Sequence, residues 1–307
     1  MWFKNLYIFA FTRPFTINED ELESQLQENQ FTPCGKTEMS HFGWSNALGK
    51  HGQRLLHHAN GCYLLSARKE EKILPASVVK EALDEKVEQL EQEHSRKATK
   101  KEKEQFKEDI TFELLPRAFS RISDTQGYIC PEKNIIVINT SSRGKAEDFL
   151  ALLRKSLGSL PVTSFAPETG AETVMTSWLL EQNLPEQFLI GFEGELKALG
   201  EDAAVIRCKN QDLLSDEILA HLNTDKQVVK IAFDWDQTLS CLLADDLSVK
   251  RVKFFDVIHE QNADIQSDDI LVKIDADFTL MTGELNRFID DLLAQFGLRT
   301  DSYLETE

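Results

Sequence analysis

The stretch VVKIAFDWDQTLSCLLADDLSVKRVKFF, Val228 to Phe255, contains three short runs of branched and aromatic residues: Val228 to Trp235, Thr238 to Ala244 and Val249 to Phe255. The turns between them are only a few residues long, whereas a parallel crossover needs a dozen or more. Consecutive strands joined this tightly must run antiparallel. The stretch therefore predicts a meander, and with the helical patterns elsewhere in the chain it predicts an α+β fold with mixed and antiparallel sheets.

The same stretch contains a motif that points the other way. Asp234-x-Asp236-x-Thr238 after an apolar strand resembles the first motif of haloacid-dehalogenase-type phosphatases. There one carboxylate attacks phosphorus, a second handles the proton, and magnesium binds the pair. Only 71 residues follow Asp236. They would have to supply the remaining motifs through successive parallel βαβ units of about 30 residues each. The polar face of a meander is the preferred reading of Asp234 and Asp236, and a Mg-dependent phosphohydrolase using them is the alternative.

Working outward, Phe3 to Phe11 predicts a strand. Asn18, three residues before Glu21, predicts a helix start with Leu22 and Leu26 on one face, running to Asn29. Glycines from Gly35 to Gly61 mark a turn-rich region before a strand at Cys62 to Ala67. The longest helical signal opens at Leu74-Pro75 and runs to about Ile110. Its apolar stripe (Val79, Leu83, Val87, Leu90) lapses from Glu91 to Gln105 and resumes at Phe106 and Ile110. Either one helix projects into solvent, or two helices meet at a turn near Ser95 to Thr99. A hairpin-like segment around Gly127, a strand at Ile135 to Ile138 and a helix at Ala146 to Leu157 follow, and Leu160 to Gly170 reads as a linker. Further helices are predicted at Thr173 to Glu181, Ser215 to Leu222 and Thr282 to Phe296. The predicted domains are a central α/β region (1–73 with 122–165), a projecting helical tip (74–121) and an α+β base domain (166–307).

Charged residues make up 28% of the 307, and no uncharged apolar run approaches the roughly 18 residues of a bilayer span. Met1 to Phe11 lacks the pattern of a signal peptide, so a soluble cytoplasmic chain with no membrane association is expected. The five cysteines are far apart, and reduced thiols are expected rather than a disulfide framework or zinc site. His57-His58, Asp268-Asp269 and Asp275-x-Asp277 are read as surface groups rather than metal ligands. No Walker loop, G-x-S-x-G or G-x-G-x-x-G is present, so acyl transfer, nucleotide hydrolysis and dinucleotide binding have no support.

The formal net charge is −18, unfavourable at first sight for a nucleic-acid partner. The last 53 residues hold 13 acidic against 3 basic side chains, which leaves the rest of the chain closer to balance. There the basic residues cluster: Arg68, Lys69 and Lys72; Lys97, Lys100 and Lys101, beside Arg96, Lys103 and Lys107; Arg117 and Arg121 around Phe119; Arg154 and Lys155; Arg207 and Lys209; Lys250, Arg251 and Lys253. One cluster alone suggests a solvated face. Several in an acidic chain suggest a separation of sign that phosphate backbones reward through counterion release.

Longer motifs carry a resemblance to a known family. At Phe31-Thr-Pro-Cys-Gly35, Ala67-Arg-Lys-Glu-Glu-Lys-Ile-Leu-Pro75, Leu114-Leu-Pro-Arg-Ala-Phe-Ser-Arg121 and Leu152-Leu-Arg-Lys-Ser-Leu-Gly-Ser-Leu-Pro161 the chain resembles the recombination-associated RdgC family of proteobacteria. Val205-Ile-Arg207, Lys209 with Gln211-Asp-Leu213, and Asp275-Ala-Asp-Phe278 with Leu280-Met-Thr-Gly-Glu-Leu285 extend the resemblance almost to the C-terminus. It implies a non-enzymatic, nucleoid-associated protein that binds double- and single-stranded DNA without sequence preference and limits RecA access during recombination. It also implies a ring-shaped homodimer around duplex DNA. The basic clusters are then candidate DNA contacts and Phe119 a candidate dimer contact.

Overall fold

The computed structural model describes residues 2–200, 203–262 and 269–305. In chain order it contains β1 (Tyr7–Phe11), α1 (Glu19–Gln27), β2 (Ser40–Ser45), β3 (Leu56–Ala59), β4 (Cys62–Ile73), α2 (Ala76–His94), α3 (Lys100–Leu114), β5 (Phe119–Cys130), β6 (Ile135–Ile138), α4 (Arg143–Leu157), β7 (Val162–Ser164) and α5 (Ala171–Glu181). There follow β8 (Phe188–Ala198), β9 (Val205–Lys209), α6 (Asp216–Leu222), β10 (Lys226–Trp235), β11 (Leu239–Ala244), β12 (Val249–Phe254), α7 (Asp256–Glu260) and α8 (Ile270–Ala294). The fold is α+β with antiparallel sheets. None of the described helices is long and apolar enough to cross a membrane.

The chain divides into two compact units. The first comprises Met1–Glu28, Asn46–Ser66 and Thr125–Glu307, and the second Asn29–Ser45 and Ala67–Asp124. A seven-stranded sheet has the order β2-β4-β5-β6-β1-β7, with β3 paired to β4. Leu160 to Gly170, read as a linker, carries β7, which pairs antiparallel with β1 inside the first unit.

The predicted meander forms the heart of a five-stranded sheet in the first unit, in the order β12-β11-β10-β8-β9. β10 pairs antiparallel with both β11 and β8. Its alternation buries Ile231, Phe233 and Trp235, onto which α8 packs: Phe288 lies 5.5 Å from the Trp235 ring, and the Trp235 indole N–H donates to Asp291. Burying an aromatic side chain contributes about 1.5–3 kcal/mol, so this contact is a large share of what holds helix to sheet. The other side of α8 meets β4 and β5, where Asn286 accepts from the Tyr128 hydroxyl and Thr282 is buried beside Asn60.

α8 begins at Ile270, twelve residues before the predicted Thr282, because the stripe of Leu285, Phe288 and Leu292 continues backwards through Met281 and Phe278. The acidic residues around Asp275 and Asp277 obscured it. Asp275 pairs with His57, Asp277 accepts from Asn262, and Asp269 caps the helix; Asp268 lies outside the described residues.

In the second unit, the lapse in apolar stripe is a turn. Ser95 in the left-handed region ends α2, and Thr99 with Glu102 forms the capping box that starts α3. Arg96 grips Glu102 through both terminal guanidinium nitrogens, and with the Thr99 hydrogen bonds it holds that carboxyl well below the ordinary carboxylate range. β4 extends to Ile73, so Arg68, Lys69 and Lys72 sit within a strand rather than beyond one. All five cysteines are free.

Candidate nucleic-acid interface

Two sets of predicted basic residues occupy the two units, each built differently. On the five-stranded sheet, β8 carries Glu193 opposite Lys209 of β9 and Glu195 opposite Arg207. Arg207 donates to Glu195 at 2.9 Å and Lys230 of β10 reaches the same carboxylate at 3.1 Å. Burial alone would push the Glu195 carboxyl up, but the two cations bring it below its ordinary value. Arg251 of β12 binds Glu193 at 2.8 Å and lowers that carboxyl as well. Lys209, Lys250 and Lys253 carry no ion pair among the described residues, and Lys209 and Lys253 are exposed.

In the second unit Arg68 forms a bidentate pair with Asp124, at 2.7 and 2.9 Å, and Lys69 binds Glu71 at 2.8 Å. Lys100 is only loosely paired, 3.9 Å from Glu104. Lys72, Lys97, Lys101, Arg117 and Arg121 make no ion pair among the described residues, and all but the half-buried Lys72 are exposed. Phe119, at the start of β5, is 84% exposed and contributes nothing to the core of its own chain. Arg154 and Lys155 close the last turn of α4 in the first unit, where a cation also offsets the helix dipole.

The sheet holds a groove that sequence reasoning missed. Pairing moves from Ile231↔Gly194 to Phe233↔Ile190, so β8 spends four residues where β10 spends two. This bulge ejects Phe192, which is 65% exposed. Strict alternation from Phe188 and Ile190 would have placed Phe192 on the inward face, so only the bulge could have shown it. Gly191 permits the close approach: a Cβ there would meet the Ala232 carbonyl oxygen at 3.1 Å. Phe192, Asp234, Ser240, Arg251 and Lys253 all line the resulting groove, whose volume is about 370 Å³.

The phosphatase-like motif is not assembled as catalytic chemistry requires. Asp234 lies on a strand with antiparallel neighbours on both sides, opposite Ser240 and Leu189, and burial pushes its carboxyl up. Asp236 has turned the corner into a left-handed conformation, where Arg287 takes its carboxylate at 2.8 Å. Among the described residues, no group of three or more His, Cys, Asp or Glu side chains is placed to hold a metal ion.

Comparison with known proteins agrees with the motif resemblance. Residues 1–299 match the family described as "Putative exonuclease, RdgC". The chain is 66% identical, over the full length of both, to the "Recombination-associated protein RdgC" of Colwellia psychrerythraea. It is 52% identical over 297 residues to the protein of that name from Aeromonas hydrophila and 50% identical to the one from Tolumonas auensis, covering 97% of this chain and 98% of each relative. A match of this extent and identity leaves no segment of the fold to another ancestry: the chain belongs to the RdgC family.

Proposed function

We propose that the chain is a DNA-binding protein of recombination that works by occupying DNA and not by cleaving it. Phosphates are its main contacts, double- and single-stranded DNA both bind, and base sequence matters little. The observation that carries this reading is the set of exposed lysines without ion pairs among the described residues, Lys97, Lys101, Lys209 and Lys253, kept open in a chain of net charge −18. Where carboxylates outnumber cations this strongly, open cations are what a polyanion would engage. Family membership supports the rest: a homodimer closing as a ring around duplex DNA with Phe119 at the contact, association with the nucleoid in the cytoplasm, and restriction of RecA access to recombining or replicating DNA. No cofactor is required.

A salt titration of duplex affinity, run beside a nuclease and a phosphatase assay, tests the proposal. The logarithm of affinity should fall linearly with the logarithm of salt, by about 0.9 per phosphate neutralised on duplex. A flat response, or discrimination of about 10³ between unrelated sequences, overturns phosphate-led binding. Magnesium-dependent shortening of end-labelled DNA would make the chain an exonuclease. Turnover of a phosphate ester abolished by Asp234→Asn would revive the phosphohydrolase.

A further inference from the structure

We infer that Phe192 is a stacking platform for an unpaired base, making the groove on the five-stranded sheet a single-strand site; this inference rests on the DNA-binding reading above. The bulge in β8 turns outward an aromatic ring that ordinary pleating would have buried, and Leu189 nearby is also 58% exposed. Exposing a phenylalanine gives the fold nothing, since its burial is what stabilises. Bulges recur beside functional sites because they re-aim a side chain.

The surroundings of the ring select the ligand. On the rim, Lys253 lacks an ion pair among the described residues, and Arg251 is held in place by Glu193, which neutralises part of its charge while fixing its position. Lys209 opposes Glu193 from β9. Along the groove, Asp234 and Ser240 face each other across β10 and β11, supplying an acceptor and a hydroxyl to the edge of a base. An apolar ring that shares one groove with cations and hydrogen-bonding groups matches the three parts of a nucleotide: base face, phosphate and base edge. Proteins that hold single strands combine these elements, a basic track for the backbone and aromatic rings for the bases. A duplex hides its base faces in the stack, so it can use the cations and not the ring.

Three probes of equal length separate the contributions: a 20-nucleotide oligothymidine, an abasic strand of deoxyribose phosphates, and a 20-base-pair duplex. Phe192→Ala should weaken oligothymidine binding about 5- to 150-fold, the loss that stacking one base carries, and leave abasic-strand and duplex affinity unchanged. Phe192→Trp should restore oligothymidine binding, with tryptophan emission quenched by oligothymidine and not by the abasic strand. Unchanged oligothymidine affinity in Phe192→Ala overturns the stacking inference while leaving DNA binding in place, and so does an equal loss on all three probes. If the wild-type chain binds none of the probes at low salt, the DNA-binding reading fails and this inference fails with it.

Discussion

On the five-stranded sheet each predicted arginine is held by a carboxylate, Arg207 by Glu195 and Arg251 by Glu193, and Glu195 also holds Lys230. At the start of α3 and in the turn before it, Lys97 and Lys101 stand free of ion pairs among the described residues, and Lys100 is only loosely paired. The two arrangements suit different tasks. On the DNA-binding reading proposed above, a guanidinium already fixed would lose little side-chain entropy when a phosphate arrives, so the sheet would serve to orient DNA. Free lysines, compact and strongly hydrated charges on flexible stems, would follow a phosphate wherever it lies without fixing its position. The carboxylates that hold Arg207 and Arg251 also offset part of their charge, so losing either arginine would uncover a carboxylate as well as remove a cation.

The largest effect expected from this contrast comes from replacing whole clusters. Lys250→Gln, Arg251→Gln and Lys253→Gln together should lower the salt slope of duplex binding by up to about 2.7, at about 0.9 for each phosphate no longer neutralised. They also leave Glu193 without its partner, and an uncovered carboxylate repels the approaching phosphates. The triple variant Lys97→Gln, Lys100→Gln, Lys101→Gln can lower the slope as much but uncovers no tightly held carboxylate. Affinity at fixed salt should therefore fall further in the β12 variant. Equal reductions, or the reverse order, would break the distinction between the two regions.

A middle-sized effect is expected at Phe119, which belongs to neither pattern. As an 84% exposed ring it should tolerate Phe119→Ala with chain stability unchanged within about 0.5 kcal/mol. If the ring is buried between two copies, truncating it removes about 1.5–3 kcal/mol per side from their association. A clamp that opens more readily should leave closed circular DNA faster, while release from short linear duplexes, where it can slide off an end, changes little. Identical release from both substrates in variant and wild type would detach Phe119 from ring closure.

The fold was legible wherever local pattern and tertiary role coincided. The β10–β12 meander follows from its alternation and short turns, and the capped start of α1 from Asn18, whose side chain accepts a backbone N–H group as the spacing required; a turn at Ser95 to Thr99 is only one of two readings of that stretch, and the Thr99 cap of α3 shows only in the structure. β8 was not read, because Gly191 and Gly194 interrupt its pattern to allow close approach to β10 and Leu213. The first three turns of α8 were masked by aspartates that prove to be surface partners. Of the interface, the basic clusters were visible as composition, but which cations are held and which stay open depends on cross-strand carboxylates. Glu193 and Glu195 are adjacent to Lys209 and Arg207 in space while 12 or more residues away in sequence.

The smallest effect sharpens the comparison most directly, because it converts one region's behaviour into the other's. Glu195→Gln leaves Arg207 and Lys230 in place and removes the carboxylate that holds them. The two cations become available to phosphate, so the salt slope of duplex binding should rise by about 0.9 to 1.8. The substitution also has a stability signature with a definite sign. The folded chain depresses the Glu195 carboxyl below its unfolded value of about 4.3, so the interaction stabilises the chain above that pH and is lost as pH falls through the lower folded value. Near neutral pH the variant should therefore unfold at slightly lower urea than the wild type, and the two midpoints should converge once the pH has fallen through the lower folded value. A difference that persists unchanged into acid would mean that packing, and not charge, is what Glu195 supplies. An unchanged salt slope would mean that Arg207 and Lys230 do not meet DNA even when freed, which would confine the sheet's contribution to β12 and Lys209.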